Sequence, residues 1–290
     1  MTVRPRRSVL YVPGSNPRAL AKARTLPCDG LILDLEDSVA PEAKEAARAA
    51  VVVALAEGGF APREVLVRVN ACDTEWFEAD VSALARIGAD GLVLPKAESP
   101  EDVLAAAALL AGSDAPPGLP LWLTIETPRG VLASAALAGA HPAVAGLVAG
   151  TSDLAKELRA RHVPGREPLL HSLSAIVLAA RAHGLAALDG VHLALDDESG
   201  FAAACRQGRD LGFDGKTLIH PRTIEAANRL FAPDPEEVEA ARRLLAAWRA
   251  ARAGGRGVVV LDGHLVEELH ALEAERLVTL ADAVAAIRRA

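Results

Sequence analysis

Cysteine and aromatic residues are scarce in this chain of 290 residues. Its three cysteines, Cys28, Cys72 and Cys205, lie far apart, which excludes a CxxC metal site and provides no disulfide framework, so a reducing cytoplasm is expected. With three Trp, one Tyr and five Phe, the chain offers few platforms for base stacking, and its formal net charge of −7 disfavours nucleic acid as a partner. These absences favour a small-molecule enzyme.

Long apolar runs and several familiar motifs are also missing. The basic N-terminal residues are followed by only a few apolar residues before Pro13 and Gly14, too short a stretch for a signal-peptide core. No uninterrupted apolar run is long enough to span a bilayer, so no membrane partner is expected. The sequence contains no G-x-S-x-G elbow, no P-loop, no Rossmann G-x-G-x-x-G and no H-E-x-x-H.

Apolar residues, in contrast, are abundant, at 51% of the sequence. Eight short β-type segments alternate with Ala-rich stretches of helical spacing, and Gly88, Gly184 and Gly212 fall where a helix should end. Continuously apolar strands in repeated βα units predict a closed parallel barrel, the TIM (β/α)8 fold, with a doubly wound open sheet as the alternative. The strands are predicted at residues 8–12, 31–35, 65–69, 92–94, 121–125, 147–149, 186–188 and 216–219.

The chain beyond residue 231 is not needed to close such a barrel. Asp234 before Pro235 predicts the N-cap of a long helix that ends near residue 253. A glycine-rich segment then precedes a short strand and a last helix. We therefore expect two domains, a catalytic barrel at 1–231 and a helical extension at 232–290, which would act as a lid or as an arm reaching a neighbouring subunit.

Two acids follow neighbouring predicted strands: Glu126 comes after L-W-L-T-I, and Asp153 ends the run G-L-V-A-G-T-S-D. Catalytic groups of barrel enzymes collect where strands end. A few oxygen ligands with room for water and substrate suit Mg²⁺ better than zinc, so the pair predicts a magnesium site. The alternative is that Glu126 caps the following helix and Asp153 sits in its first turn, where the helix dipole favours a carboxylate.

Substrate-binding groups are predicted beside these acids. The backbone N–H groups of Gly150, Thr151 and Ser152, at a predicted helix start, can hold a substrate carboxylate. Arg68 lies near the end of the apolar strand V-L-V-R-V-N, where a guanidinium needs an anionic partner. A bidentate clamp on a substrate carboxylate is the functional interpretation, and a salt bridge to Glu36 or the neighbouring Asp37 is the structural alternative.

Other strand ends carry further candidates. Among the three acids of L-D-L-E-D-S, Glu36 is the best candidate to orient a metal-bound water. Lys96 follows L-V-L-P, and a salt bridge is favoured over a Schiff-base role. His220 is interpreted as a packed barrel histidine rather than a base or ligand, and the role of Asp189 stays open.

Taken together, these motifs closely resemble the citrate lyase beta-subunit family, which includes malyl-CoA and citramalyl-CoA lyases within the HpcH/HpaI aldolase superfamily. The resemblance covers nearly the whole chain, from Arg7 to the last helix. The segments that carry it are R-R-S-V-L-Y-V-P-G-S, L-D-L-E-D-S-V-A-P-E-A-K, V-R-V-N-A-C-D-T-E-W, G-A-D-G-L-V-L-P-K, I-E-T-P-R-G, G-T-S-D-L and F-D-G-K-T-L-I-H-P.

This resemblance implies Mg²⁺ on Glu126 and Asp153, and an Arg68 that binds the carboxylate of a 2-oxo acid. The implied activity is a carbon–carbon lyase that cleaves a citryl-, citramalyl- or malyl-type thioester to an acetyl thioester and oxaloacetate, pyruvate or glyoxylate. The thioester partner would be coenzyme A or an acyl carrier protein, and the chain would form a homo-oligomer, a trimer or hexamer. A citrate lyase beta subunit that needs its acyl carrier partner and a class II aldolase are the alternatives.

One position departs from the family pattern. In lyases of this family, an aspartate of a G-x-M-I-D-x-P-like motif is supplied to the neighbouring subunit's site as acid or base. The matching stretch here, residues 263–269, reads G-H-L-V-E-E-L, so Glu267 occupies that position. Glutamate adds one methylene, and a displacement of about 1 Å can cost about 10²-fold in rate. Either the site has adjusted or the native reaction differs from that of the named lyases.

Overall fold

The computed structural model describes residues 4–287 except 86, 114, 115 and 117. Eight parallel strands pair in sequential order, and β1 also pairs with β8, where Ser8 lies opposite Lys216. The sheet is therefore a closed barrel, which confirms the predicted TIM fold and excludes the open sheet. Its strands are β1 (Ser8–Pro13), β2 (Gly30–Asp34), β3 (Glu64–Arg68), β4 (Gly91–Leu94), β5 (Leu121–Ile125), β6 (Val144–Ala149), β7 (Ala186–Asp189) and β8 (Gly215–Leu218).

Helices follow the strands around the barrel, and two of them, α6 and α7, fill the interval between β6 and β7. Several begin at a capping side chain, as at Asn16, Ser99 and Thr127, each of which accepts a hydrogen bond from the first turn. In the described part of the chain, no helix is both long and apolar enough to cross a membrane. The helices of the barrel are α1 (Pro17–Ala23), α2 (Lys44–Glu57), α3 (Phe77–Leu84), α4 (Pro100–Gly112), α5 (Pro128–Ala138), α6 (Thr151–Glu157), α7 (Leu170–Ala182), α8 (Glu198–Leu211) and α9 (Ile224–Leu230).

The predicted boundaries agree with the structure except where a short element precedes or follows a long one. Strand β6 begins at Val144, three residues before the prediction. Helix α2 is preceded by a 3₁₀ turn at Pro41–Ala43. Gly88, Gly184 and Gly212 have the expected positive φ values of 60°, 67° and 100°. The predicted helix ends are confirmed at Gly184 and Gly212, whereas α3 ends at Leu84, before Gly88.

Apolar side chains fill the inside of the barrel. The largest is Trp122, which is fully buried, and a Cβ on the neighbouring Gly146 would lie 2.3 Å from its ring. Arg6 stacks on the same ring at 4.9 Å from the centroid and donates to Glu64. The inside of the barrel is therefore a closely packed layer of side chains. It is formed by Val9, Ile32, Leu66, Val93, Trp122, Val148 and Leu188.

Residues 232–287, with 4 and 5, form a second compact unit, separate from the barrel unit at 6–231. Helix α10 (Pro235–Ala253) begins at Asp234, whose side chain accepts from the backbone N of Glu236, which confirms the predicted N-cap. Helix α11 (Glu268–Ile287) packs against it. Their shared apolar contact is made by Ala241, Leu245, Ala271 and Ala274.

A short hairpin lies between these two helices in the chain. Strands β9 (Val259–Leu261) and β10 (His264–Val266) pair antiparallel across Asp262 and Gly263, which have φ values of 50° and 81°. Asp-Gly is a preferred pair for such a two-residue turn because both positions need positive φ. The sequence predicted β9 as a single strand and missed β10.

Candidate active site

A cavity of about 320 Å³ opens where the barrel strands end. Glu126 follows β5, Arg68 ends β3 and Asp153 lies in the first turn of α6, so three different βα units contribute to one wall. The residues Gly150, Thr151 and Ser152 line the same cavity. Most of the residues that the sequence singled out thus meet at one place.

Glu126 is nearly inaccessible, with 2% of its surface exposed. Its Oε1 accepts a hydrogen bond of 2.8 Å from the backbone N of Lys96. Burial raises the pKa of Glu126 to about 7, and the negative charge of Glu36 raises it further, against the opposing charge of Arg68. The surroundings of Glu126 therefore disfavour its ionised form.

Gly150 allows β5 and α6 to approach each other closely. A Cβ at Gly150 would lie 2.3 Å from the Cβ of Glu126 and 2.6 Å from its Oε2, inside any normal contact distance. Only glycine fits between these chain segments. The absence of a side chain at residue 150 therefore lets Glu126 lie against the start of the helix that carries Asp153.

Glu126 and Asp153 both line this cavity, and carboxylate oxygens are ligands that suit a magnesium ion with water or substrate oxygens in its other positions. Among the described residues, no group of three or more His, Cys, Asp or Glu is arranged to hold a metal. A divalent cation would favour the ionised form of Glu126. Thr124 lines the same cavity, and its Oγ1 is buried without a hydrogen-bond partner within the described ranges.

Arg68 belongs to a buried network of charges. Its Nε and Nη2 donate to Oδ1 and Oδ2 of Asp34 at 2.7 and 2.8 Å, and its Nη1 lies 2.8 Å from Glu36 Oε2 and 3.5 Å from Asp37 Oδ2. Burial would raise the pKa of Asp34, but the hydrogen bonds and charge of Arg68 outweigh it and lower that pKa. The salt bridge to Glu36 or Asp37 that the sequence offered as the alternative is present, whereas the bidentate partner, Asp34, was missed.

Lys96 connects two of the acids. Its Nζ donates to Glu36 Oε1, which confirms the predicted salt bridge, and its backbone N donates to Glu126. Lys96 adopts φ 50°, a left-handed conformation that is uncommon for a residue with a side chain. Burial raises the pKa of Glu36, although the positive charges of Arg68 and Lys96 oppose this. Lys44 supports the same loop, because its Nζ donates to the backbone carbonyl of Glu36 at 2.8 Å.

Tyr11 also lines the cavity and was not singled out from the sequence. It lies on β1, and Arg68 Cζ is 4.8 Å from the centroid of its ring. Val9, two residues earlier, faces the barrel interior, so the period of two along a strand places Tyr11 on the same face. The two-residue spacing from Val9 was therefore the sequence feature that could have identified Tyr11.

The other predicted residues lie elsewhere. Glu267 belongs to the second unit, where it is exposed and its backbone N donates to His270 Nδ1 at 3.1 Å, so its catalytic role stays a prediction. His220 is exposed, and its Nδ1 accepts from the backbone N of Arg222 at 3.2 Å. The interpretation of His220 as a packed histidine is therefore wrong, because the ring caps the 3₁₀ turn that begins at Pro221.

Asp189 forms a buried ion cluster outside the cavity lining. It is fully buried, and its carboxylate accepts from Lys216 Nζ at 2.8 Å and from Arg166 Nη1 at 2.8 Å. Gly208 on α8 makes room for it, because a Cβ there would lie 2.7 Å from Asp189 Oδ2. The contacts of Asp189 thus join β7 to β8 and to the chain segment before α7.

The chain is similar in sequence and in structure to known proteins. A family model described as HpcH/HpaI aldolase/citrate lyase matches residues 7–221. A (3S)-malyl-CoA thioesterase of Cereibacter sphaeroides is 49% identical over 284 residues, covering 98% of this chain and 97% of that protein. Citrate lyase subunit beta of Escherichia coli is 38% identical over 269 residues, covering 91% and 89%. The crystal structure of CitE from Mycobacterium tuberculosis with magnesium, acetoacetate and coenzyme A is 34% identical, with a TM-score of 0.76, covering 96% and 98%.

Proposed function

Because the chain belongs to the HpcH/HpaI aldolase/citrate lyase family, as the resemblance predicted, we propose that it is a magnesium-dependent enzyme acting on the coenzyme A thioester of a short β-hydroxy acid. The substrate that we propose first is a (3S)-malyl thioester, and the reaction is hydrolysis of its thioester bond. The observation that carries this choice is the 49% identity to a (3S)-malyl-CoA thioesterase, which extends over nearly the full length of both chains.

The proposed site binds the acyl group at the polar wall of the cavity. Glu126 and Asp153 would hold the ion, which when bound would polarise the oxygens of the substrate. Arg68 lines the cavity; Asp34 binds two of its five N–H groups and Glu36 Oε2 lies 2.8 Å from its Nη1, so the N–H groups that these acids leave over are assigned to the malyl carboxylate. The backbone N–H groups of Gly150, Thr151 and Ser152 are assigned to the same carboxylate.

Glu36 is the proposed proton acceptor. Held between Arg68 and Lys96, it would accept a proton from the attacking water as that water adds to the thioester carbonyl carbon. The carbon–sulfur bond then breaks, the thiolate of coenzyme A takes up a proton, and malate is released. Burial strengthens Glu36 as a base because it raises the pKa of the carboxyl group.

Carbon–carbon cleavage is the second candidate, and the 38% identity to a citrate lyase subunit beta favours it. Here the base takes the proton of the β-hydroxyl, the bond between the α and β carbons breaks, and the products are a 2-oxo acid and an acetyl thioester. Glu267, which stands where the lyases carry an aspartate, is the residue assigned to proton transfer in this case. Coenzyme A is proposed as the carrier because the solved relative was crystallised with it.

One experiment distinguishes the two reactions. Purified protein with Mg²⁺ is incubated with malyl-, citramalyl- and citryl-CoA, and free thiol and 2-oxo acid are measured in parallel. Thiol without 2-oxo acid supports hydrolysis, and 2-oxo acid without thiol supports cleavage. Release of neither product from a folded protein contradicts both, and activity only after addition of an acyl carrier protein supports a citrate lyase subunit instead.

The metal assignment has a separate readout in the same protein. Mg²⁺ binding is measured by calorimetry and by the shift of the thermal unfolding midpoint. Asp153→Asn should abolish both the binding heat and the shift, whereas Asp196→Asn, an exposed acid after β7, is the matched control and should keep them. Equal Mg²⁺ affinity in the Asp153→Asn variant and in the unmodified protein would reject the site.

A further inference from the structure

Tyr11 is the only tyrosine of the chain and faces the cavity beside the proposed catalytic groups. Within the part of the chain that the structure describes, its hydroxyl group forms no hydrogen bond. Part of the side chain stays accessible, so the hydroxyl is not sealed in the core. A phenol in this position is a hydrogen-bond donor whose acceptor is supplied by something that enters the cavity.

The surroundings keep this phenol neutral. Burial raises the pKa of Tyr11 well above its ordinary value, and the negative charges of Asp34, Glu126 and Glu36 raise it further, against the charge of Arg68. Tyr11 therefore cannot act as a base at physiological pH. Arg68 lies over the ring, 4.8 Å from its centroid, and fixes the side chain by a cation–π contact.

The other hydroxyl groups of the cavity are less suited to donate to a ligand. Thr217 Oγ1 donates to the carbonyl of Asp189 at 3.0 Å, and Thr151 Oγ1 lies 3.4 Å from the carbonyl of Val191. Thr124 lines the cavity as well, but its Oγ1 is buried and belongs to an aliphatic alcohol. Ser38 and Ser152 carry aliphatic hydroxyls, which are weaker acids than a phenol. Among the described residues that line this cavity, Tyr11 is thus the phenol, and it is neutral.

Both reactions considered above build negative charge on one atom, the thioester carbonyl oxygen. Hydrolysis converts it to the oxyanion of a tetrahedral adduct, and carbon–carbon cleavage converts it to the enolate oxygen of the acetyl thioester. We propose that Tyr11 is a catalytic residue that donates a hydrogen bond to this oxygen as its charge develops. The proposal deepens the proposed function and rests on it for the identity of the substrate as a thioester.

Tyr11→Phe removes the hydroxyl and keeps the ring on which Arg68 stacks, so it tests the donor alone. Loss of one such donor typically lowers kcat by about 10²- to 10³-fold. We expect that fall in kcat on malyl-CoA with little change in KM and in the thermal unfolding midpoint. Thr25→Val, which removes a hydroxyl that donates to Lys22 outside the cavity, is the matched control. A change in KM alone, or no change, overturns the proposal.

A second readout does not depend on turnover. Acetoacetyl-CoA ionises to an enolate with its own ultraviolet absorption, and the charge of this enolate is shared between the ketone oxygen and the thioester oxygen. In the presence of Mg²⁺ the unmodified protein should bind it at least tenfold more tightly than the Tyr11→Phe variant. Equal enolate binding by the two proteins, or none by either, overturns the role of Tyr11, whereas an unmodified protein that binds the enolate but releases no product contradicts only the proposed function.

Discussion

Glu126 is a buried carboxylate that stability alone would not favour. Its pKa is raised from 4.5 to about 7, so at pH 8 the ionised group destabilises the fold in the absence of a cation. Because one pKa unit corresponds to about 1.4 kcal/mol, Glu126→Gln should raise the free energy of unfolding by up to about 3 kcal/mol in Mg²⁺-free buffer at pH 8. Urea denaturation measures this.

The gain in the free energy of unfolding should vanish at acid pH, and substitution of an exposed acid should not produce it. Below pH 4 the native carboxyl group is protonated, so the Glu126→Gln and unmodified proteins should unfold alike. Glu101→Gln, an exposed position in the first turn of α4, is the matched control and should produce no gain. A destabilised Glu126→Gln protein at pH 8 would contradict the prediction.

The pair of Arg68 and Asp34 has the opposite dependence on pH. The pKa of Asp34 is lowered in the folded state, so the pair contributes fully above the unfolded pKa of about 3.9 and is lost as pH falls through the folded pKa. Asp34→Asn should therefore cost about 3 to 5 kcal/mol at pH 7, the usual effect of breaking a buried pair. Its difference from the unmodified protein should narrow below pH 4 in urea titrations, and a constant difference would contradict this.

At the scale of elements, Gly150 couples the end of β5 to the start of α6. Gly150→Ala would place a Cβ 2.3 Å from the Cβ of Glu126, so either the strand end or the helix must move. We expect Mg²⁺ affinity measured by calorimetry to fall at least tenfold while the circular dichroism spectrum stays unchanged. Gly112→Ala is the matched control, because a Cβ at that helical glycine meets nothing within 4 Å. Unchanged affinity in Gly150→Ala would disprove the coupling.

The ion cluster of Asp189 holds β7 and β8 to the chain outside the barrel. Asp189→Asn leaves Lys216 buried without its anion, and such a loss typically costs about 3 to 5 kcal/mol. The double variant with Lys216→Met should recover part of that free energy, which chemical denaturation measures. Asp196→Asn, in an exposed pair with Arg222, should leave stability unchanged. If the double variant recovers no stability, the unpaired Lys216 is not the cause of the free energy lost in Asp189→Asn.

The elements were predictable because most barrel strands contain a short apolar run bounded by turn residues. Side-chain pairing was not, since Asp34 meets Arg68 only through the register of β2 with β3, which no local pattern specifies. Strand β10 was missed because His264 to Val266 is too short to show a period. Tyr11 was missed for a different reason. It lies within an apolar strand, and it is identified only by its position on the face of β1 that points into the barrel.

At the scale of the whole molecule, the family resemblance places Glu267 in the site of a neighbouring subunit. If so, Glu126→Gln and Glu267→Gln proteins should each be inactive alone, and mixed oligomers formed by dissociation and reassociation should regain activity. Turnover of the mixture, with size-exclusion chromatography to confirm mixing, is the measurement. Glu268→Gln, the adjacent exposed acid, is the matched control and should stay active alone. Confirmed mixing without recovered activity would contradict a shared site.

Lys96 shows how this molecule would respond to directed evolution. Its left-handed backbone would be more relaxed as glycine, yet glycine would remove the ammonium group that holds Glu36. At Glu126 stability and function conflict in a similar way, because the buried carboxylate lowers the stability of the fold but is needed for the proposed metal site. A selection for heat resistance alone would therefore favour replacing Glu126, with loss of the proposed metal site, whereas at Lys96 the loss of the ion pair with buried Glu36 opposes the gain from glycine.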